Sequence, residues 1–241
     1  MTVMDPGRTT TSIASTSAVR PCGDAALLVE VTGLDQVLVL HGAIESRRSQ
    51  PGFAGLVDLV PAATTLLLIA DGPAAVPRLR EHVVEVLHDL DRPAAVGGTT
   101  QTGEILRIPV RYTGPDLEEV AGLTGLTPRE VVVAHTSHPW TVGFCGFAPG
   151  FSYLVGGDPR LEVPRRAEPR TRVPAGAVGL AGSFSGIYPR SSPGGWQIIG
   201  ETDAVLWDVE RRPPALLQPG ARVEFVDADG PPEAGLAAED A

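Results

Sequence analysis

Residues 139–200 carry 12 of the chain's 28 glycines and 8 of its 23 prolines, a density at which no long helix persists. Proline removes a backbone donor and fixes φ, while glycine opens positive φ, so the segment reads as short strands joined by specific turns. Between the turns, Val142, Phe144, Phe147, Phe151, Val173, Val178, Leu180, Ile187, Ile198 and Ile199 are β-branched or aromatic often enough to be strand material. Long loop-rich regions with apolar residues of their own are more often functional than spacer, so a site is expected here.

The rest of the chain alternates more regularly. Residues 25–31 read as a buried strand ended by Gly33, and Asp35 opens a helix carrying Val37, Leu38, Leu40 and Ile44. Strands at 56–60 and 64–70 follow, then a helix at 75–90 with Leu79, Val83, Val86, Leu87 and Leu90 on one face, and a strand at 105–112. Strand-helix-strand-strand-helix-strand is the split βαβ pattern of a ferredoxin-like sheet, with one sheet face left for a neighbour. A helical pair at 116–123 and 128–135 comes next, the second marked by Thr127, Pro128 and Glu130 as a capping box. Strands at 204–209 and 222–226 complete the β region. The fold class is thus α+β. Its expected parts are a disordered leader at 1–17, a ferredoxin-like domain at 18–112, a helical connection at 113–138, a β domain at 139–226 and an acidic tail at 227–241.

All 19 basic residues are arginine. Without lysine the chain cannot supply a Walker-type phosphate ligand, a Schiff base or a biotinylated lysine, so an anion must be met by guanidinium and backbone N–H groups. A formal charge of −10 argues against non-specific nucleic-acid binding, and no run of 18 apolar residues is present to span a membrane. Cys22 and Cys145 lie far apart and outside any CxxC pair, which reads as two reduced, mostly buried thiols of a cytoplasmic protein.

Against the acidic background, Arg160, Arg165, Arg166, Arg170 and Arg172 stand out, four of them between prolines at 164, 169 and 174. Such an array suits phosphate or carboxylate; the alternative is surface pairing with Asp158, Glu162 and Glu168. The glycine pairs at 156–157 and 194–195 read as tight turns. His135 and His138 run into Pro139 with no third ligand, so no metal site is expected, and His135 fits a charge at a helix C-terminus. Cys145 between phenylalanines reads as an inert thiol. Ser152, Ser183, Ser191 and Ser192 have no visible base. Trp196, Tyr188, Tyr153 and Phe151 are packing residues with a lining role open to them.

The runs GFAPGFSYL at 146–154, DPRLEVPRRAEPRTRVPAGAVGLAG at 158–182 and GIYPRSSPGGWQIIGET at 186–202 closely resemble the family of 5-oxoprolinase B components, also called allophanate hydrolase subunit 1. The resemblance implies a cyclophilin-like β-barrel for the second half. It also implies a hetero-oligomer with the C-type component of that enzyme, a protein of the allophanate hydrolase subunit 2 type, joined by a lactam-utilisation-type protein. The complex would open 5-oxoproline to L-glutamate with ATP, and the isolated chain would be inactive. Arg165, Arg166, Arg170 and Arg172, with Pro149, Gly150, Phe151, Tyr188, Gly194 and Gly195, would then line an anion-accepting site. The same family includes an inhibitor of a sporulation histidine kinase and a carboxyltransferase part of urea carboxylase, so a regulatory module and a carboxyltransferase half-site are the alternatives. Glu201-Thr202-Asp203 departs from the family's Arg-Thr-Pro, and Ser183-Phe184-Ser185 from its usual Gln-Thr.

Overall fold

A computed structural model describes residues 13–91 and 105–230. The chain divides into two compact units, Met1–Gln101 and Thr102–Ala241.

In the first unit, strands β1 (Ala18–Pro21), β2 (Ala26–Glu30), β3 (Leu56–Pro61) and β4 (Thr65–Ala70) form an antiparallel sheet in the order β1-β2-β4-β3. Leu27, Val29, Leu66 and Leu68 fall on one face by strand alternation and are buried. They pack with Val37, Leu40 and Ile44 of helix α2 (Leu34–Glu45) and with Leu79, Val83 and Val86 of α3 (Val76–Asp91). Of the expected leader, residues 1–12 lie outside the described residues. Ile13–Thr16 form a helical turn, α1, whose Ile13 and Ala14 N–H groups donate to the Asp91 carboxylate.

The ferredoxin-like expectation needs correction at the sheet edge. β1, paired antiparallel to β2, occupies the place assigned to the strand at 105–112. That strand, β5 (Ile105–Val110), belongs to the second unit, where Ile108 and Val110 are buried and β13 (Arg222–Asp227) runs parallel to it. A pairing partner so distant in sequence leaves no trace in local periodicity.

The second unit is a seven-stranded sheet ordered β12-β9-β10-β7-β6-β13-β5, with β6 Trp140–Cys145, β7 Ser152–Val155, β9 Ala177–Ala181, β10 Phe184–Ile187 and β12 Gln197–Glu201. Its two ends meet: Arg111, just after β5, exchanges both backbone hydrogen bonds with Glu201 of β12, so the sheet is barrel-like and nearly closed. Helices α4 (Leu117–Thr124) and α5 (Pro128–Thr136) bury Val120, Ala121, Val131 and Ala134 in the same core as Trp140, Val142, Leu154, Ile199, Val223 and Phe225. The capping box at Thr127 and Glu130 is present. Every residue of β9 is buried because Val178 and Leu180 face that core while Ala177 and Ala181 face a second cluster. That second cluster, Phe151, Val173, Tyr188, Trp196 and Ile198, lies with the ribbon formed by β8 (Arg170–Val173) and β11 (Ser192–Gly194).

The strand expected at 204–209 is a loop carrying one bridge, Trp207 to Ala215. Val205, Trp207 and Val209 alternate as a strand would, yet all three are exposed. Arg211 ties the loop through the carbonyls of Val205 and Pro214.

Candidate functional site

The arginine cluster divides instead of facing one cleft. Arg170 grips Asp116 with a two-pronged fork, Nη1 to Oδ2 at 2.8 Å and Nη2 to Oδ1 at 2.6 Å, and Arg166 Nη1 adds a third bond at 2.6 Å. The Asp116 carboxylate, buried at the start of α4, also accepts the Ile198 N–H at 2.6 Å. Burial alone would push this carboxyl up; the Arg170 fork, the Ile198 N–H and Arg166 outweigh it and hold it below the usual carboxylate range. A further pair of backbone bonds, Gly114 N–H to the Ile199 carbonyl and Asp116 N–H to the Ile198 carbonyl, seats the loop before α4 along β12. Arg166 and Arg170 are therefore structural clasps on a buried anion. Truncating Arg170 is expected to lower stability, because Asp116 then keeps Arg166 as its sole guanidinium partner.

Arg172 and Arg165 remain. Arg172 donates Nε–H to Ser191 Oγ at 3.1 Å and, with Arg170, lines a cavity of about 180 Å³ whose other walls include Thr113, Gly114, Val173, Pro174 and Glu201. Arg165 sits on a separate, smaller cleft of about 70 Å³ walled by Phe147, Phe151, Tyr153, Tyr188, Trp196 and the Pro193-Gly194-Gly195 backbone. Of the residues expected in the site, Arg165, Phe151, Tyr188, Gly194 and Gly195 come together here. Gly150 packs instead under the loop at Leu206 and Trp207, with φ +84°, and the neighbouring Pro149 is exposed.

The cleft is built from edge-to-face rings. Phe151, buried, meets Tyr188 at 5.4 Å and 79° and Trp196 at 5.4 Å and 88°. Phe147 meets Phe151 at 5.3 Å and 75°, although 61% of it is exposed. Its φ of +69° makes it the one non-glycine residue described in the left-handed region, and the bond from Ala148 N–H to the Gly146 carbonyl closes a γ-turn around it. Such a conformation costs on the order of 1–3 kcal/mol and is retained where the surroundings hold it. Gly194 is required: a Cβ there would lie 2.3 Å from the Tyr188 hydroxyl. Burial pushes the phenol up, so it stays protonated.

A third constellation resembles a catalytic relay. Tyr112 Oη lies 2.7 Å from His135 Nδ1, and His135 Nε2 lies 2.8 Å from Ser185 Oγ. A neutral imidazole has one donor and one acceptor, which the two hydroxyls match in either tautomer. His135 and Ser185 are fully buried, with the imidazole stacked on Phe225 at 4.3 Å, so no substrate reaches them. The expected charge at the helix end is thus corrected: burial takes the His135 pKa down to about 3. Unfolded, it titrates near 6.5, so stability present above that pH is lost as pH falls toward 3. His135→Gln is expected to be less stable than wild type at pH 7 but to lose less between pH 7 and pH 5. Parallel urea-midpoint losses for the two proteins across that interval would refute it.

Cys145 keeps its thiol, its pKa raised by burial, while Cys22 is exposed, contrary to expectation. Glu201 and Asp203 both pair with Arg111. Among the described residues no cluster of three or more His, Cys, Asp or Glu could hold a metal, and no helix is long and apolar enough to cross a membrane. In sequence Asp116 reads as an ordinary helix start, since its partners lie 50 and 54 residues downstream. In sequence Phe147 reads as strand material and Tyr153 and Trp196 as packing residues with a lining role open to them, without a sign that the three share one cleft.

Residues 17–217 match the family described as carboxyltransferase domain, subdomain C and D. The chain is 36% identical over 225 residues to the B component of 5-oxoprolinase from Bacillus subtilis (strain 168), covering 86% of this chain and 91% of that one. It is 50% identical over 124 residues to the protein of the same name from Escherichia coli O157:H7, covering 50% of this chain and 57% of that one. The crystal structure of TTHA0988 superposes with a TM-score of 0.69 at 36% identity, over 89% of this chain and 41% of that one. The chain thus spans about two-fifths of that solved polypeptide.

Proposed function

Since this chain belongs to the family of carboxyltransferase domains C and D, we propose that it is one component of an ATP-dependent 5-oxoprolinase that opens 5-oxo-L-proline to L-glutamate in the cytoplasm. Its companions are a protein of the allophanate hydrolase subunit 2 type and a lactam-utilisation-type protein. The observation that carries the reading is the 36% identity to a 5-oxoprolinase component over 91% of its length. The nearly closed sheet agrees with the cyclophilin-like barrel that such a component is expected to have.

The geometry supports a dependent subunit. Ring opening needs an activated carbonyl and a positioned water, yet the His-centred chain in the barrel is sealed and Cys145 is held as a thiol. Cavities of about 180 and 70 Å³ are below the roughly 300–1,000 Å³ of clefts that enclose drug-sized ligands. ATP does not fit within either, and we assign it to a companion or to a cleft a companion completes. Of the proposed anion-accepting residues, Arg165 and Arg172 are the two guanidinium groups outside the Asp116 clasp.

The test is reconstitution. ADP and glutamate formation from 5-oxoproline is expected with all components present and is expected to vanish when this chain is omitted or supplied alone. Turnover that continues unchanged without it would overturn the assignment. Biotin-dependent carboxyl transfer in place of lactam opening would favour the carboxyltransferase half-site to which the family description points.

A further inference from the structure

We propose that the aromatic cleft at Arg165 recognises a small flat ring bearing one carboxylate, and hence that this chain, and not a companion, holds the lactam acid. For the identity of the ligand this rests on the oxoprolinase reading; for the class of ligand it rests on the cleft.

Charge decides the sign of the ligand. Arg160 is bonded to Asp158, Arg166 and Arg170 to Asp116, and Arg172 to Ser191. Arg165 is exposed at the cleft rim, and among the described residues no side chain pairs with it. Aromatic walls alone would suit a cation, but a guanidinium at the mouth repels one, and no carboxylate lines the cleft. An anion with an apolar, flat body satisfies both walls and rim, since the guanidinium fork matches a carboxylate.

Size and hydrogen bonding narrow the body. About 70 Å³ admits one small ring and not a purine with its sugar. The Tyr188 hydroxyl lines the cleft, and among the described residues nothing takes its proton, so it can donate to a ring carbonyl. Gly194, with no Cβ, lets the cleft backbone pass against that hydroxyl without displacing it. Phe147, held over the cleft by its γ-turn, covers the exposed face of a bound ring.

Calorimetric titration of the full chain tests this with three probes: 5-oxo-L-proline, pyrrole-2-carboxylate and 2-pyrrolidone, which lacks the carboxylate. Both acids are expected to bind, and Arg165→Gln, an exposed change that leaves the melting temperature unaltered, is expected to weaken each at least ten-fold without affecting 2-pyrrolidone. Tyr188→Phe is expected to weaken 5-oxo-L-proline more than pyrrole-2-carboxylate, which has no lactam carbonyl. Failure of both acids to bind, or equal binding to Arg165→Gln, overturns the proposal. Arg165-dependent binding of pyrrole-2-carboxylate but not of 5-oxo-L-proline supports the cleft and overturns the assignment of the lactam acid to this chain. Wild-type KM for 5-oxo-L-proline in a reconstituted Arg165→Gln complex removes the cleft and leaves the function standing.

Discussion

Asp116→Ala is expected to destabilise the second unit by about 3–5 kcal/mol, the range for deleting one partner of a buried ion pair. The carboxylate answers three guanidinium N–H bonds and one backbone N–H at once, and its removal leaves Arg166 and Arg170 facing each other across an empty centre. Asp116→Asn keeps the shape and loses the charge, so a smaller loss is expected. The pH dependence has a definite sign. Because the folded-state pKa lies below its ordinary value of 3.8, the clasp contributes fully above that value and is lost as pH falls through the lower, folded one. This window lies below most of the one assigned to His135, so acid titration of the two variants separates them. Equilibrium urea unfolding measures the loss; a change under about 1 kcal/mol for Asp116→Ala would mean that the arginines find other partners and the clasp is ornamental.

Gly114→Val is expected to be comparably damaging, about 3 kcal/mol or more, at the upper end of ordinary single substitutions. A Cβ at Gly114 would lie 2.3 Å from the Ile198 carbonyl oxygen and 2.3 Å from the Ile199 carbonyl carbon. These are backbone atoms of β12, which cannot swing aside as a side chain would. The loop must lift from the strand, and with it go the Gly114 and Asp116 backbone bonds and the placement of the Asp116 carboxylate. Coupling follows: the double variant with Asp116→Ala is expected to fall well short of the summed single losses. Thermal melts of the four proteins measure this, and strict additivity would show that the loop and the carboxylate act separately.

Local structure is legible in the sequence wherever a short-range cause sets it. The α5 capping box needs only Thr127 and Glu130, and the α3 stripe only its own repeat. Long-range pairing is not. β5 reads as the closing strand of the first sheet because it follows a helix, as a ferredoxin-like fourth strand would; its partner β13 lies beyond the whole glycine-rich region. The arginines stand out as unusual but read as a set, since prolines at 164, 169 and 174 bracket them. What sorts them is the position of one acid near the start of α4, and no spacing within 160–172 announces it. Arg165 differs from its neighbour Arg166 only in which side of the chain it leaves.

The order in which the barrel strands are made matters for how the protein is born. β13 is inserted between β5 and β6, parallel to one and antiparallel to the other. Until residues 222–227 emerge from the ribosome, those two strands present raw edges, at which a neighbouring nascent chain can add a strand of its own. Frameshifts or stops that remove residues 222–227 should therefore act on soluble yield, turning a polypeptide that lacks β13 into inclusion-body material.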